Sequence, residues 1–275
     1  MTADSALEEL RRLFEQQITV REITSSLVSF DDCSSATSCR DFMKQQAFDV
    51  VGVRQNGLVQ GYVRRTDLLD GTIKKYNRPI SQRRVMRDSD PLRSCLRRLV
   101  KYESVFVRMV GHIGGIVTRS DLHRPPVRLW LFGLVTLTEM SMTDLVKKCY
   151  PDDKWKKRLN EDRISEAEKI FKDRNRRNEE ITRIDCLQFC DKYVLLLKQE
   201  NGAERLGLGS NTKAKTVFKK LRKLRDDLAH GHHLDSRRWA EIAGLAETAE
   251  QIIDRISKEI RTSTWGNSTG EVVSR

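Results

Sequence analysis

The 275 residues carry 51 lysines and arginines against 39 aspartates and glutamates, a formal net charge of +12. That length accommodates two domains with separate cores, and the charge excess favours a polyanionic partner such as nucleic acid, nucleotide or anionic lipid. The six cysteines form no C-x-x-C pair and no His/Cys zinc spacing, which speaks against a metal ribbon and fits a reducing, cytoplasmic setting.

The opening residues are acidic and polar and read as no signal peptide. Residues 4–17 predict a short amphipathic helix, with Leu7, Leu10, Leu13 and Phe14 on one side. The chain then repeats itself. Residues 50–68 (VVGVRQNGLVQGYVRRTDL) align without a gap to 104–122 (SVFVRMVGHIGGIVTRSDL), with nine of nineteen positions identical. A match at this level marks a duplicated structural unit. Within each copy a β-branched run, a turn at Asn56-Gly57 or its counterpart, and a second run predict a hairpin. Helices are expected before the hairpins, over about 35–46 and from about 90, and a short helix after each. The unit is therefore β-α-β-β-α.

The repeat resembles the cystathionine-β-synthase (CBS) domain, which occurs in tandem pairs. The resemblance covers about 18–125 and rests on a Gly-apolar-apolar-Thr/Ser-x-x-Asp signature. The second copy matches in full, from Gly115 through Thr118 to Asp121. In the first copy, Gly61 to Asp67, Arg64 fills the hydroxyl position. The resemblance implies an adenosine-type site in which the aspartate takes ribose hydroxyls and the Thr/Ser holds ribose or phosphate. Thr118, Asp121, Asp67 and Arg64 are then the ligand-binding candidates, and a regulatory adenine nucleotide or nucleotide second messenger is the ligand class. A Thr-x-x-Asp sequence also caps helices, and that reading stays open.

Arg124-Pro125-Pro126 marks a boundary. Beyond it the periodicity is helical, with helices expected over 126–149, 152–175, 180–199, 211–230 and 236–261 and a glycine-containing loop at 201–210. The apolar run 129–137 is about half the ~20 residues of a membrane span, so a buried, central or dimer-packing helix is expected and no membrane. Residues 263–275 read as a disordered tail.

The stretch 221–233, LRKLRDDLAHGHH, concentrates three of the five histidines. The cations leading into it, including Lys219, Lys220, Arg222 and Lys223, suit RNA, though a solvated helix face has the same composition. Five helices with Arg225, a polar Asp226 and His230 late in the series resemble the HEPN domain. Its nuclease members carry Arg, a polar residue, a few more, then His. The resemblance covers roughly 125–262. It implies metal-independent RNA cleavage by a homodimer, with Arg225 and His230 catalytic and Asp226 supporting them. Histidine can move the 2′-OH proton near neutral pH, and arginine can stabilise charge on the phosphorane. Five residues of ideal helix place Arg225 and His230 about 140° apart, so they meet only if the helix loosens near Gly231 or a second subunit contributes, and the dimer implied by the resemblance offers the latter. A cation in the last turn and Gly231 at C′ are also ordinary helix endings.

The expected fold class is α+β multidomain: an N-terminal helix (1–17), a tandem CBS pair (18–125), an all-α five-helix HEPN-like bundle (126–262) and a tail. The expected function is a nucleotide-regulated endoribonuclease in stress response or phage defence, with neither metal nor cofactor required for cleavage. The alternatives are a non-catalytic nucleotide-binding regulatory or dimerisation protein, and an RNA-binding adaptor.

Overall fold

The computed structural model describes residues 18–232, 234, 235 and 238–262, with Glu9, Arg12 and Leu13. The helix expected at 4–17, His233 and the tail from 263 lie outside the described residues. Among the described residues, those of 12–127 with 235–239 form one compact unit, and those of 128–234 with 240–262 form the other.

In the α/β unit the first repeat runs β1 (Ser25–Ser26), β2 (Ser29–Asp31), α1 (Ala36–Gln45), β3 (Val50–Gln55) and β4 (Leu58–Arg64). The second runs β5 (Arg78–Pro79), β6 (Val85–Arg87), α2 (Leu92–Lys101), β7 (Ser104–Met109) and β8 (His112–Thr118). Two four-stranded sheets result, ordered β2-β3-β4-β5 and β1-β8-β7-β6. Each repeat's first strand therefore completes the other repeat's sheet. Duplication extends to detail: both hairpins carry a register shift, at Val53/Arg54 and at Val107/Arg108. The predicted hairpins are present. The short helix expected after each is one 3-10 turn, Arg65–Asp67 and Arg119–His123.

The signature glycines have a steric reason. A Cβ on Gly61 would collide with Asn77 and the backbone of Arg78, beside β5, and one on Gly115 would collide with Thr24, beside β1. Apolar positions of α1, β3 and β4, including Met43, Val51 and Val63, form a fully buried cluster. Tyr62 and Phe106, with ring centroids 5.2 Å apart, pack one repeat against the other.

The helical unit departs from five helices. It contains α3 (Pro125–Cys149), α4 (Glu161–Asn175), α5 (Phe189–Leu197), a four-residue α6 (Gly202–Arg205), α7 (Asn211–Ala229) and α8 (Trp239–Thr262). The helix expected over 152–175 is a 3-10 turn, Lys154–Arg158, followed by α4, because Asn160 caps a new N-terminus by accepting from the Arg163 amide. The one expected over 180–199 breaks in the same way. Capping boxes Thr182/Asp185 and Gln188/Asp191 start a turn and then α5 in close succession. The loop 201–210 contains α6.

Trp155, Phe189 and Phe218 anchor the helical core, where Tyr193 stacks on Phe218 at 5.0 Å between centroids. By length and composition α3 is apolar enough to cross a membrane, and 61% of its most apolar window is buried inside the protein. Trp239, at the start of α8, belongs to the α/β unit. It is buried, and its indole N–H donates to the Leu96 carbonyl at 3.1 Å.

Candidate functional site

A cleft of about 620 Å³ opens in the α/β unit, within the range of small-molecule sites. Equivalent positions of the two repeats line it together: Asp49 and Glu103, Arg64 and Thr118, Arg65 and Arg119. The cleft therefore straddles the relation between the copies. Symmetry fails on one side, where Ser25, Ser26 and Asp121 join the lining and Asp67 does not.

On that side Asp121 is nearly buried and fully engaged. Its Oδ2 accepts from the Thr118 amide at 2.8 Å and the Thr118 hydroxyl at 3.0 Å, a complete capping box. Its Oδ1 faces Arg124 Nε at 2.9 Å and the Ser25 hydroxyl at 3.4 Å. The helix-capping alternative thus describes Thr118 and Asp121 as they stand. Both also line the cleft, and the Oδ1 contacts are the exchangeable ones, since Arg124 is more than a third exposed.

The first copy diverges because Arg64 has no hydroxyl to cap the following turn. Asp67, freed of that role, pairs with Arg78 at 2.7 Å outside the cleft. Thr118, Asp121 and Arg64 are brought together, and Asp67 is not. Arg64 reaches across to Glu103 of the second repeat at 3.4 Å, and Arg65 pairs with Asp49 at 2.7 Å. Arg119 turns away, donating to the carbonyls of Leu99 and Val100.

Arg84, which sequence reasoning missed, lies behind the cleft wall. Only 8% exposed, it bonds the Ser104 carbonyl and hydroxyl and the Tyr62 hydroxyl, with its guanidinium over the Tyr62 and Phe106 rings. No signal in the sequence separates it from Arg83 and Arg87.

In the helical unit the Arg225 guanidinium bonds Glu139 at 3.2 Å and Asp226 at 3.0 Å and lies over the Phe189 ring. Burial pulls its pKa down, and the bonds to Asp226 and Glu139 more than offset this, leaving it above the ordinary value. Glu139 also holds the buried Lys192 ammonium at 3.0 Å. An acid within the long, apolar α3 was the available signal for this hub. His230 is exposed at the end of α7, and its ring lies beside His232, centroids 5.8 Å apart. No hydrogen bond or ion pair joins Arg225 to His230 within one chain among the described residues. Gly231 takes φ +69°, the usual helix-ending conformation, and Arg128 caps the last carbonyls of Leu228 and His232. Lys219, Lys220, Arg222 and Lys223 are all exposed, and Lys220 pairs with Glu241. No cluster of His, Cys, Asp and Glu suited to a metal ion occurs among the described residues.

No family model matches this chain, and no curated protein does. Solved structures match its N-terminal α/β part. They are CBS-domain proteins. CBSX2 solved with AMP is 19% identical over 41% of this chain and 98% of its own, with a TM-score of 0.37. The CBS domain of a bacterial CNNM/CorC family Mg2+ transporter solved with ATP is 19% identical over 46% and 94%, at 0.36. A CBS domain-containing protein of unknown function from Bacillus anthracis is 12% identical over 39% and 91%, at 0.35. The matched part is the duplicated, strand-exchanged α/β unit, and the remaining described residues are mainly helical.

Proposed function

We propose that the chain is a nucleotide-sensing regulatory protein whose α/β unit binds an adenine nucleotide and whose helical unit is the effector. The observation that carries this reading is the one-sided cleft. A carboxylate and hydroxyls (Asp121, Thr118, Ser25) line the same cleft as the arginines Arg64 and Arg65. Ribose hydroxyls suit Asp121 Oδ1, where they replace Arg124 and Ser25, and phosphate suits the arginines. Calorimetric titration of the full chain with AMP, ADP and ATP tests it. Binding is expected and Asp121→Asn should weaken it at least about tenfold. Absence of binding by all three would overturn the reading.

A second reading concerns the effector and is favoured by the exposed His230 at the end of the cationic α7. In it the helical unit is a metal-independent HEPN-type endoribonuclease. It works as a homodimer in which Arg225 and His230 of two chains meet and Asp226 assists. The cations at 219–223 hold the RNA, and the products are a 2′,3′-cyclic phosphate and a 5′-OH. RNA is incubated in EDTA with wild type and His230→Ala across nucleotide concentrations. Cleavage lost in the variant supports the reading. RNA left intact throughout sinks it, and salt-dependent binding that survives the substitution would leave an RNA-binding adaptor.

A further inference from the structure

At Arg64 the two copies differ in chemistry, an arginine where the second copy has Thr118. Its ion pair crosses the repeats. Glu103, its partner, adjoins Ser104, and Ser104 is the strand partner of Thr118. The Arg64 side chain therefore extends from one wall of the cleft toward the Thr118–Asp121 side. Arg65 follows on the same wall, whereas the equivalent Arg119 is committed to backbone carbonyls. Among the described residues the two arginines pair with Glu103 and Asp49, whose side chains are 68% and 82% exposed. Such pairs contribute little stability, and water readily solvates the released carboxylates. An anion with several charged oxygens exchanges for them at small cost, and a guanidinium suits that anion through paired N–H donors.

We infer that Arg64, with Arg65, makes this cleft selective for a nucleoside di- or triphosphate over the monophosphate. This rests on the nucleotide reading of the same cleft. Ribose sits against Asp121 and Thr118, and the phosphates beyond the first reach across to the arginines of the first repeat.

The test is metal-free titration of the full chain with AMP, ADP, ATP and inorganic tripolyphosphate. Wild type should bind ADP and ATP at least about tenfold more tightly than AMP. Arg64→Thr, which places the second copy's residue at a half-buried position, should abolish that preference, lowering ATP and ADP affinity at least about tenfold toward that of AMP. Glu103→Gln, which frees Arg64 without removing it, should tighten ATP binding. Equal affinities for AMP and ATP in wild type would overturn the inference. So would a preference that survives Arg64→Thr, or tripolyphosphate binding as tightly as ATP. In those cases AMP still binds, which separates them from failure of the nucleotide reading itself, where no adenine nucleotide binds.

Discussion

Val110 adopts the same left-handed conformation as Asn56, its counterpart in the first repeat, with φ 49° against 51°. Asparagine tolerates this region and a β-branched residue does not. Each is followed by a glycine, Gly57 or Gly111, also at positive φ, so both turns share one geometry although only the first carries the favourable residue. Val110 is 95% exposed, so its side chain contributes no packing in return. Val110→Asn should therefore stabilise the protein by about 1 kcal/mol and raise the melting temperature by a few degrees. Chemical denaturation monitored by circular dichroism checks it, and an unchanged or lower midpoint would count against the strain account.

Arg84 presents its charge to neutral oxygens and aromatic faces. Its planar fork reaches the Ser104 carbonyl through two nitrogens and the Tyr62 hydroxyl through a third. Lysine cannot reproduce that pattern, and its ammonium would be buried without a carboxylate. Arg84→Lys should cost about 2–3 kcal/mol, measurable as a fall in the urea midpoint. A loss below about 0.5 kcal/mol would show that the guanidinium geometry is dispensable.

Glu139 links two cations that differ in burial, Lys192 with a side chain 6% exposed and Arg225 with one 31% exposed. Removing the carboxylate leaves the buried ammonium uncompensated, whereas removing Arg225 leaves Glu139 still paired. Glu139→Gln is thus expected to destabilise by about 3 kcal/mol and Arg225→Gln by about 1 kcal/mol. Thermal unfolding of both variants decides it, and the reverse order would mean that Arg225 is the principal anchor. RNA cleavage lost in an Arg225→Gln variant that remains folded would then report on chemistry rather than on the core.

Asp185 offers a pH test. Burial raises its pKa, but Lys147 at 2.7 Å and the Thr182 amide and hydroxyl lower it further, and the net shift is below the ordinary 3.8. A depressed carboxylate contributes stability that is full above its unfolded pKa and is lost as pH falls through the folded one. The melting temperature of Asp185→Asn should therefore lie below wild type at neutral pH, and the gap should close as the pH drops from about 4 toward 2. A constant gap across that window would show that the capping geometry, rather than the charge, carries the effect.

The duplicated half was legible because the same residues recur at the same places: Gly61 with Gly115, Val63 with Val117, Asp67 with Asp121. Both hairpins and the helices before them lie where alternation and spacing predict. The edge strands were not legible, since β1 and β5 are two residues each and their pairing depends on distant sequence. Helix restarts at Asn160, Thr182 and Gln188 were hidden by apolar periodicity that continues through them. At the site, Thr118, Asp121 and Arg64 were found from the signature. The capping role that occupies Asp121 was foreseen only as an alternative, and the displacement of Asp67 toward Arg78 depends on β5. In the helical half, the motif marked Arg225, while Glu139, which holds it, and Lys192, which pairs with Glu139, come from other helices with no shared pattern.

The exchange of edge strands separates the unit that was copied from the unit that folds. Each sheet is closed by a segment encoded at the start of the opposite repeat, so neither copy is self-sufficient as a fragment. Gene dissection at the repeat boundary near residue 78 would leave β8 or β4 with a bare hydrogen-bonding edge, a template for association with other chains. The two halves are consequently expected to have evolved as an obligate pair. Within it one half can carry a different residue in the shared cleft, as at Arg64, while remaining indispensable to the other's shape.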